Sequence, residues 1–145
     1  MVPAIFGLSG LTLTTAERAF FADADPAGYI LFSRNIDSRA QVRTLTDELR
    51  AIHGRLRTFI CIDQEGGRVA RMKPPVWATY PPGEAFDRLY DLAPISAIEA
   101  ARANAHALGL DCAETGISVD CLPLDRKSTR LNSSHPRLSR MPSSA

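Results

Sequence analysis

The chain has 145 residues, 45% of them hydrophobic, with 17 Lys+Arg against 16 Asp+Glu. That length suits one domain, the apolar fraction excludes a globally disordered chain, and no apolar run approaches the roughly 20 residues a bilayer span needs. The near-neutral charge averages two unlike parts: residues 1–124 hold 12 Lys+Arg and 15 Asp+Glu, net −3, while residues 125–145 hold five and one, net +4.

Strand-like and helix-like patterns alternate through the first part. Ala4-Ile5-Phe6-Gly7-Leu8 is short and apolar and predicts a buried strand. Thr14 and Glu17 have the spacing of a capping box, opening a helix that carries Ala16, Phe20 and Phe21 and stops before Pro26. Gly28-Tyr29-Ile30-Leu31-Phe32-Ser33 has no polar alternation, as expected of a parallel strand covered on both faces. Ser38 and Gln41 make a second box, and the helix behind it stripes Val42, Leu45, Leu49 and Ile52 before Gly54. Thr58–Asp63 is the third strand. A third helix is expected over Pro94–Leu108, with Ser96 and Glu99 at box spacing and Ile98, Ala101, Ala105 and Leu108 on one face. Ile117–Leu124 gives a fourth strand. This order means an α/β fold with parallel strands. It leaves two closures open, a doubly wound sheet or a barrel. The first turn lacks GxGxxG, which disfavours a dinucleotide-binding sheet.

In both closures ligands bind at the C-terminal strand ends. There the sequence is informative at Cys61-Ile62-Asp63-Gln64-Glu65-Gly66-Gly67-Arg68-Val69-Ala70-Arg71. Asp63 and Glu65 share a face if the strand continues. Gly66 and Gly67 permit a sharp turn, and Arg68 and Arg71 meet one partner if a helical turn follows. The structural alternative is that Asp63 caps the turn and Arg68 pairs with Glu65 on a solvated loop. Two carboxylates without a further cluster make a poor magnesium site, so no metal is expected.

The runs GYILFSRNI at 28–36 and IDQEGGRVAR at 62–71 resemble the N-terminal barrel half of glycoside hydrolase family 3. The likeness is greatest to its bacterial β-N-acetylhexosaminidases that recycle peptidoglycan. Gly7-x-Ser9-Gly10-Leu11-x-Leu13-Thr14-x-x-Glu17 and Asp120-x-x-Pro123-Leu124 fall in matching order, so the likeness covers residues 4–124, with DQEGGRVxR its specific part. It implies the N-terminal half of a (β/α)8 TIM barrel over residues 1–124. It also implies that Asp63 binds hydroxyls of a terminal N-acetylglucosamine and that Arg71 is a second substrate contact. Glu65, Gly66, Gly67 and Arg68 would shape the loop, and Arg34 and Asn35 would line or buttress the rim. The family is retaining, with an aspartate nucleophile and a histidine-containing loop on later strands. No KHFPGHG-like segment is present, so the catalytic residues are expected downstream and this chain alone is expected to be inactive. A β-glucosidase of the same family, or a non-catalytic sugar- or partner-binding half barrel, are the alternatives.

Residues 125–145 depart from the family pattern. With six serines, two prolines and no aromatic residue they predict a disordered basic tail. RKSTRLNSSH resembles translated adapter or vector sequence, so its charge implies no nucleic-acid partner. His135 is placed too early to be the catalytic histidine. His53 and His106 read as structural. Cys61, Cys112 and Cys121 show no CxxC spacing, and the N-terminus has no signal-peptide pattern, which together point to the cytoplasm. Trp77 and Tyr80 either stack on a sugar or cover the rim. The resemblance implies a small carbohydrate substrate, an N-acetylglucosamine-containing muropeptide, with no cofactor and no membrane partner. Exposed barrel edges imply non-specific self-association.

Overall fold

The computed structural model describes residues 1–55 and 57–122. The seam expected near Leu124, the basic tail and His135 lie outside them.

Four parallel strands stand in sequence order: β1 (Val2–Gly7), β2 (Pro26–Leu31), β3 (Phe59–Ile62) and β4 (Val119–Asp120). A doubly wound sheet reverses its strand order at a switch point; an unbroken consecutive order winds in one direction, as in a barrel. The helices α1 (Thr15–Ala24), α2 (Arg39–Ala51), α3 (Gly83–Leu92) and α4 (Pro94–Glu114) fill the connections. The fold is thus α/β, a partial barrel.

The first capping box forms as expected. Thr14 Oγ1 accepts from the Glu17 amide at 3.1 Å, and the Glu17 carboxylate accepts from the amides of Thr14 at 3.0 Å and Ser9 at 2.7 Å. The second forms by half: Ser38 caps Gln41, but the Gln41 side chain reaches the amide of Asp37 at 3.0 Å. α2 buries Val42, Leu45 and Leu49. These pack with Leu8, Phe21, Tyr29, Leu31, Ile60 and Ile62 in one core between sheet and helices. Among the described residues no helix is long and apolar enough to cross a membrane.

Three expectations are corrected. β1 is an edge rather than a buried strand: it pairs only with β2 among the described residues, and Ile5 is 51% exposed. α4 has Ala93 at its N-cap with no side-chain bond, so Ser96 and Glu99 do not box it, and it runs on to Glu114. Its buried face is Ala97, Leu108 and Cys112, while Ile98 is half exposed. Finally, α3 lies where a long loop was expected. It starts from Pro82 without a side-chain cap, so the usual start signal is missing, and its apolar residues recur at helical spacing although none is completely buried.

Candidate functional site

The register separates the two faces of the sheet. Tyr29 lies beside Ile60 and Leu31 beside Ile62, and all four belong to the core under the helices. Alternation turns Ile30 and Cys61 to the opposite, inner face. Asp63 follows on that inner side, and its charge helps burial push the Cys61 thiol upward.

β3 stops at Ile62, so Asp63 and Glu65 do not continue a strand. The chain folds back on itself instead. The amides of Glu65 and Gly66 donate to Val69 O at 2.8 and 3.1 Å, and the Val69 amide returns to Gly66 O at 3.2 Å. Gly66 and Gly67 have φ of +92° and +57°, and the Gly67 amide donates to Tyr80 O at 2.9 Å. The glycine pair therefore makes a tight antiparallel turn, not the helical turn that would bring Arg68 and Arg71 together.

The turn returns Arg71 to Asp63. Arg71 Nη2 donates to Asp63 Oδ2 at 3.0 Å, with both side chains about one-fifth exposed. Gln64, 1% exposed, sets this return. Its Oε1 accepts from the amides of Arg71 at 2.7 Å and Met72 at 2.9 Å, and its Nε2 donates to Met72 O at 2.9 Å. The Gln64 amide in turn donates to Asp120 Oδ1 at 2.9 Å. Asp120 sits opposite Ile62 at the end of β4, on the helix side of the sheet. Burial pushes its carboxyl up to about 6, against the pull of the Gln64 amide.

Of the expected site residues, the structure brings Asp63 and Arg71 into contact and places Gly66 and Gly67 at the turn. Arg68 is exposed on the turn, and Glu65 lies at its start. Arg34 and Asn35 follow β2 in a single 3-10 turn, Ser33–Asn35. Asn35, fully buried, accepts from the Phe32 amide at 2.9 Å and donates to Gly10 O at 2.8 Å. Arg34 Nε donates to Leu8 O at 2.7 Å, and its guanidinium lies 4.7 Å from the Phe32 ring centroid. Both tie the β1–α1 connection to the end of β2, a buttressing arrangement.

Trp77 and Tyr80 are committed to the protein. Trp77 is 4% exposed within the core, with the Arg39 guanidinium 5.5 Å from its ring. Tyr80 Oη donates to Asp111 Oδ2 at 2.6 Å, and burial with that bond pushes its phenol up to about 12. Arg39 also pairs with Asp111 at 2.8 Å and with Glu114. The sequence alone assigns Gln64 and Asp120 no individual role. A polar residue inside DQEGG and an acid inside an apolar strand were the available signals. Among the described residues no cluster of three His, Cys, Asp or Glu is arranged to hold a metal.

No family model matches the chain. A β-hexosaminidase of Xanthomonas oryzae pv. oryzae is 35% identical over 120 residues, which is 83% of this chain and 35% of that protein. A β-hexosaminidase of Stenotrophomonas maltophilia is 33% identical over the same shares. Among solved structures, NagZ from Neisseria gonorrhoeae in complex with N-trifluoroacetyl-D-glucosamine superimposes with a TM-score of 0.78 and 28% identity, covering 83% of this chain and 35% of that one. A glycoside hydrolase family 3 β-N-acetylglucosaminidase from a Paenibacillus species gives 0.69 and 29%, covering 80% and 21%. The chain thus spans about a third of the length of the curated relatives it matches.

Proposed function

The chain belongs to glycoside hydrolase family 3, among its β-hexosaminidases, and on that premise we propose that the end of β3 forms part of a pocket for a terminal β-linked N-acetylglucosamine. The observation that carries this reading is the Asp63–Arg71 contact at 3.0 Å on the inner side of the sheet. An ionised carboxylate is acceptor-only. With Oδ2 taken by Arg71, Asp63 still has lone pairs for two neighbouring sugar hydroxyls. The Arg71 fork has further N–H groups for a sugar oxygen. The bound N-trifluoroacetyl-D-glucosamine of the Neisseria relative supports the sugar class.

The whole enzyme would release N-acetylglucosamine from peptidoglycan fragments by a retaining route, needing no metal or cofactor. Two groups must flank the anomeric carbon in that chemistry. We assign neither to residues 1–122, whose part is to hold the sugar. The three free cysteines support work in a reducing compartment, the cytoplasm.

Calorimetric titration with N-acetylglucosamine tests the pocket: binding is expected, and Asp63→Ala is expected to abolish it. A chromogenic N-acetylglucosaminide is expected to stay intact in the presence of this chain alone. No binding by the wild-type chain would refute the pocket. Turnover that survives purification and vanishes in Asp63→Ala would refute the assignment of catalysis elsewhere.

A further inference from the structure

We propose that Asp120, on the opposite face of the sheet from Asp63, is a positioning residue for the Asp63–Arg71 pair and acts through Gln64. The inference rests on the reading of Asp63 and Arg71 as the sugar contacts.

The connection is a chain of hydrogen bonds, each with one partner on the next link. Asp120 Oδ1 accepts from the Gln64 amide at 2.9 Å. Gln64 Oε1 accepts from the Arg71 amide at 2.7 Å. Arg71 Nη2 reaches Asp63 Oδ2 at 3.0 Å. The middle link is almost wholly buried, and its Nε2 is fixed on Met72 O, so the Gln64 side chain has one orientation. Residues 62 and 120 are register partners, and the Cys121 amide holds Ile62 O at 2.8 Å. The backbone leaving β3 is therefore pinned to β4 from both sides at the point where Asp63 begins.

Asp120 is an uncommon choice for this anchor. Its Oδ2 is buried and has no hydrogen-bond partner among the described residues. A neutral polar residue would fill the same volume at lower cost, because a buried charge without compensation is expensive. What only a carboxylate adds is a strong, charge-assisted acceptor for the Gln64 amide, and one that weakens on protonation. The titratable groups whose charge reaches it are Asp63 and Glu65 from the β3 loop, acting from beyond the strand end, Cys112 from α4 and Cys121 beyond β4. Burial favours its neutral form against the pull of the Gln64 amide, and the two carboxylates add to burial, so its protonation midpoint of about 6 falls where a modest pH change alters the anchor. The anchor is tight above that midpoint and loose below it.

The test is two-dimensional 1H–15N NMR of the full chain across pH values bracketing about 6. The Gln64 and Arg71 backbone amides are expected to shift together with one midpoint, and in Asp120→Asn both titrations are expected to vanish. Calorimetry on the same samples is expected to give weaker N-acetylglucosamine binding below the midpoint. The binding difference is expected to be about tenfold, as befits one charge-assisted hydrogen bond. A silent Gln64 amide would overturn the proposal, as would a titrating Gln64 with a silent Arg71. These outcomes are read in the wild-type chain, so they stand even if Asp120→Asn fails to fold. If the amides titrate as expected and no sugar binds at any pH, the anchor stands and the sugar assignment falls.

Discussion

Arg71 returns across eight residues of loop to place Nη2 3.0 Å from Asp63 Oδ2. The pair is partly shielded, so its attraction is stronger than that of a solvent-facing ion pair, yet enough surface remains for a ligand. Arg71→Ala is expected to weaken N-acetylglucosamine binding by about tenfold to a hundredfold, the range for losing a hydrogen bond to a charged partner. Arg71→Lys is expected to recover only part of it, because an ammonium lacks the planar fork. Titration calorimetry reads both, and unchanged affinity in Arg71→Ala would remove Arg71 from the site.

The turn that makes this return possible depends on Gly66. Its φ of +92° is a backbone conformation that side chains disfavour, and a Cβ built there would lie 2.3 Å from Pro81 O. The obstruction is backbone, so it cannot rotate away. Gly66→Ala is expected to cost at least about 2 kcal/mol, combining strain with the clash. Urea unfolding measures it. Gly83→Ala makes a control, since nothing lies within 4 Å of its added Cβ.

Two carboxylates give acid sensitivity of opposite sign. Burial raises the Glu17 carboxyl, but the amides of Thr14 and Ser9 together outweigh it and bring it down to about 2 from 4.5. The folded state therefore releases this proton more readily than the unfolded one. The resulting stability is present above 4.5 and lost as pH falls towards about 2. Asp120 is raised from 3.8 to about 6, so stability due to it declines as pH rises through that interval. Glu17→Gln is expected to destabilise by about 1 kcal/mol at neutral pH, as capping losses do. The difference from wild type should shrink below 4.5. A constant difference in thermal midpoint across that range would contradict the assignment.

The capping box at Thr14 was legible because both halves of the interaction are local in sequence. The end of α4 is not local in the same way: the expected helix stops at Leu108, but nothing obstructs it at Gly109 and it runs on to Glu114, two residues before Gly116, whose φ is +78°. The loop after β3 was legible as a site because glycine pairs and charges cluster there. The roles of Gln64 and Asp120 were not, since each depends on which face of the sheet its side chain takes, and that is fixed by register with β4 more than 50 residues away. Trp77 and Tyr80 illustrate the same gap: their partners Arg39 and Asp111 come from different helices.

That placement makes Tyr80 a test of the rim. Tyr80→Phe removes the 2.6 Å bond to Asp111 while keeping the ring and the backbone carbonyl that receives the Gly67 amide. A stability loss of about 1 kcal/mol is expected, with N-acetylglucosamine affinity unchanged. Loss of affinity without loss of stability in paired calorimetric and urea experiments would return the Tyr80 hydroxyl to the sugar site.

Self-association through the β1 edge is the outcome expected in solution. Among the described residues β1 and β4 each pair on one side only. Val2 and Ile5 stand 45% and 51% exposed on that edge strand. Unpaired main-chain groups beside exposed apolar side chains form a template for another strand. Sedimentation velocity is expected to show mass increasing with concentration. Ile5→Lys is expected to reduce it, because a charge on an edge strand opposes pairing without touching the core under the helices. Ile5 is the informative position: Phe59 is equally exposed at 53% but starts β3, which is paired on both sides. Phe59→Lys should therefore leave association largely intact. A monomer at all concentrations, or equal effects of the two lysines, would show that the β1 edge does not drive association.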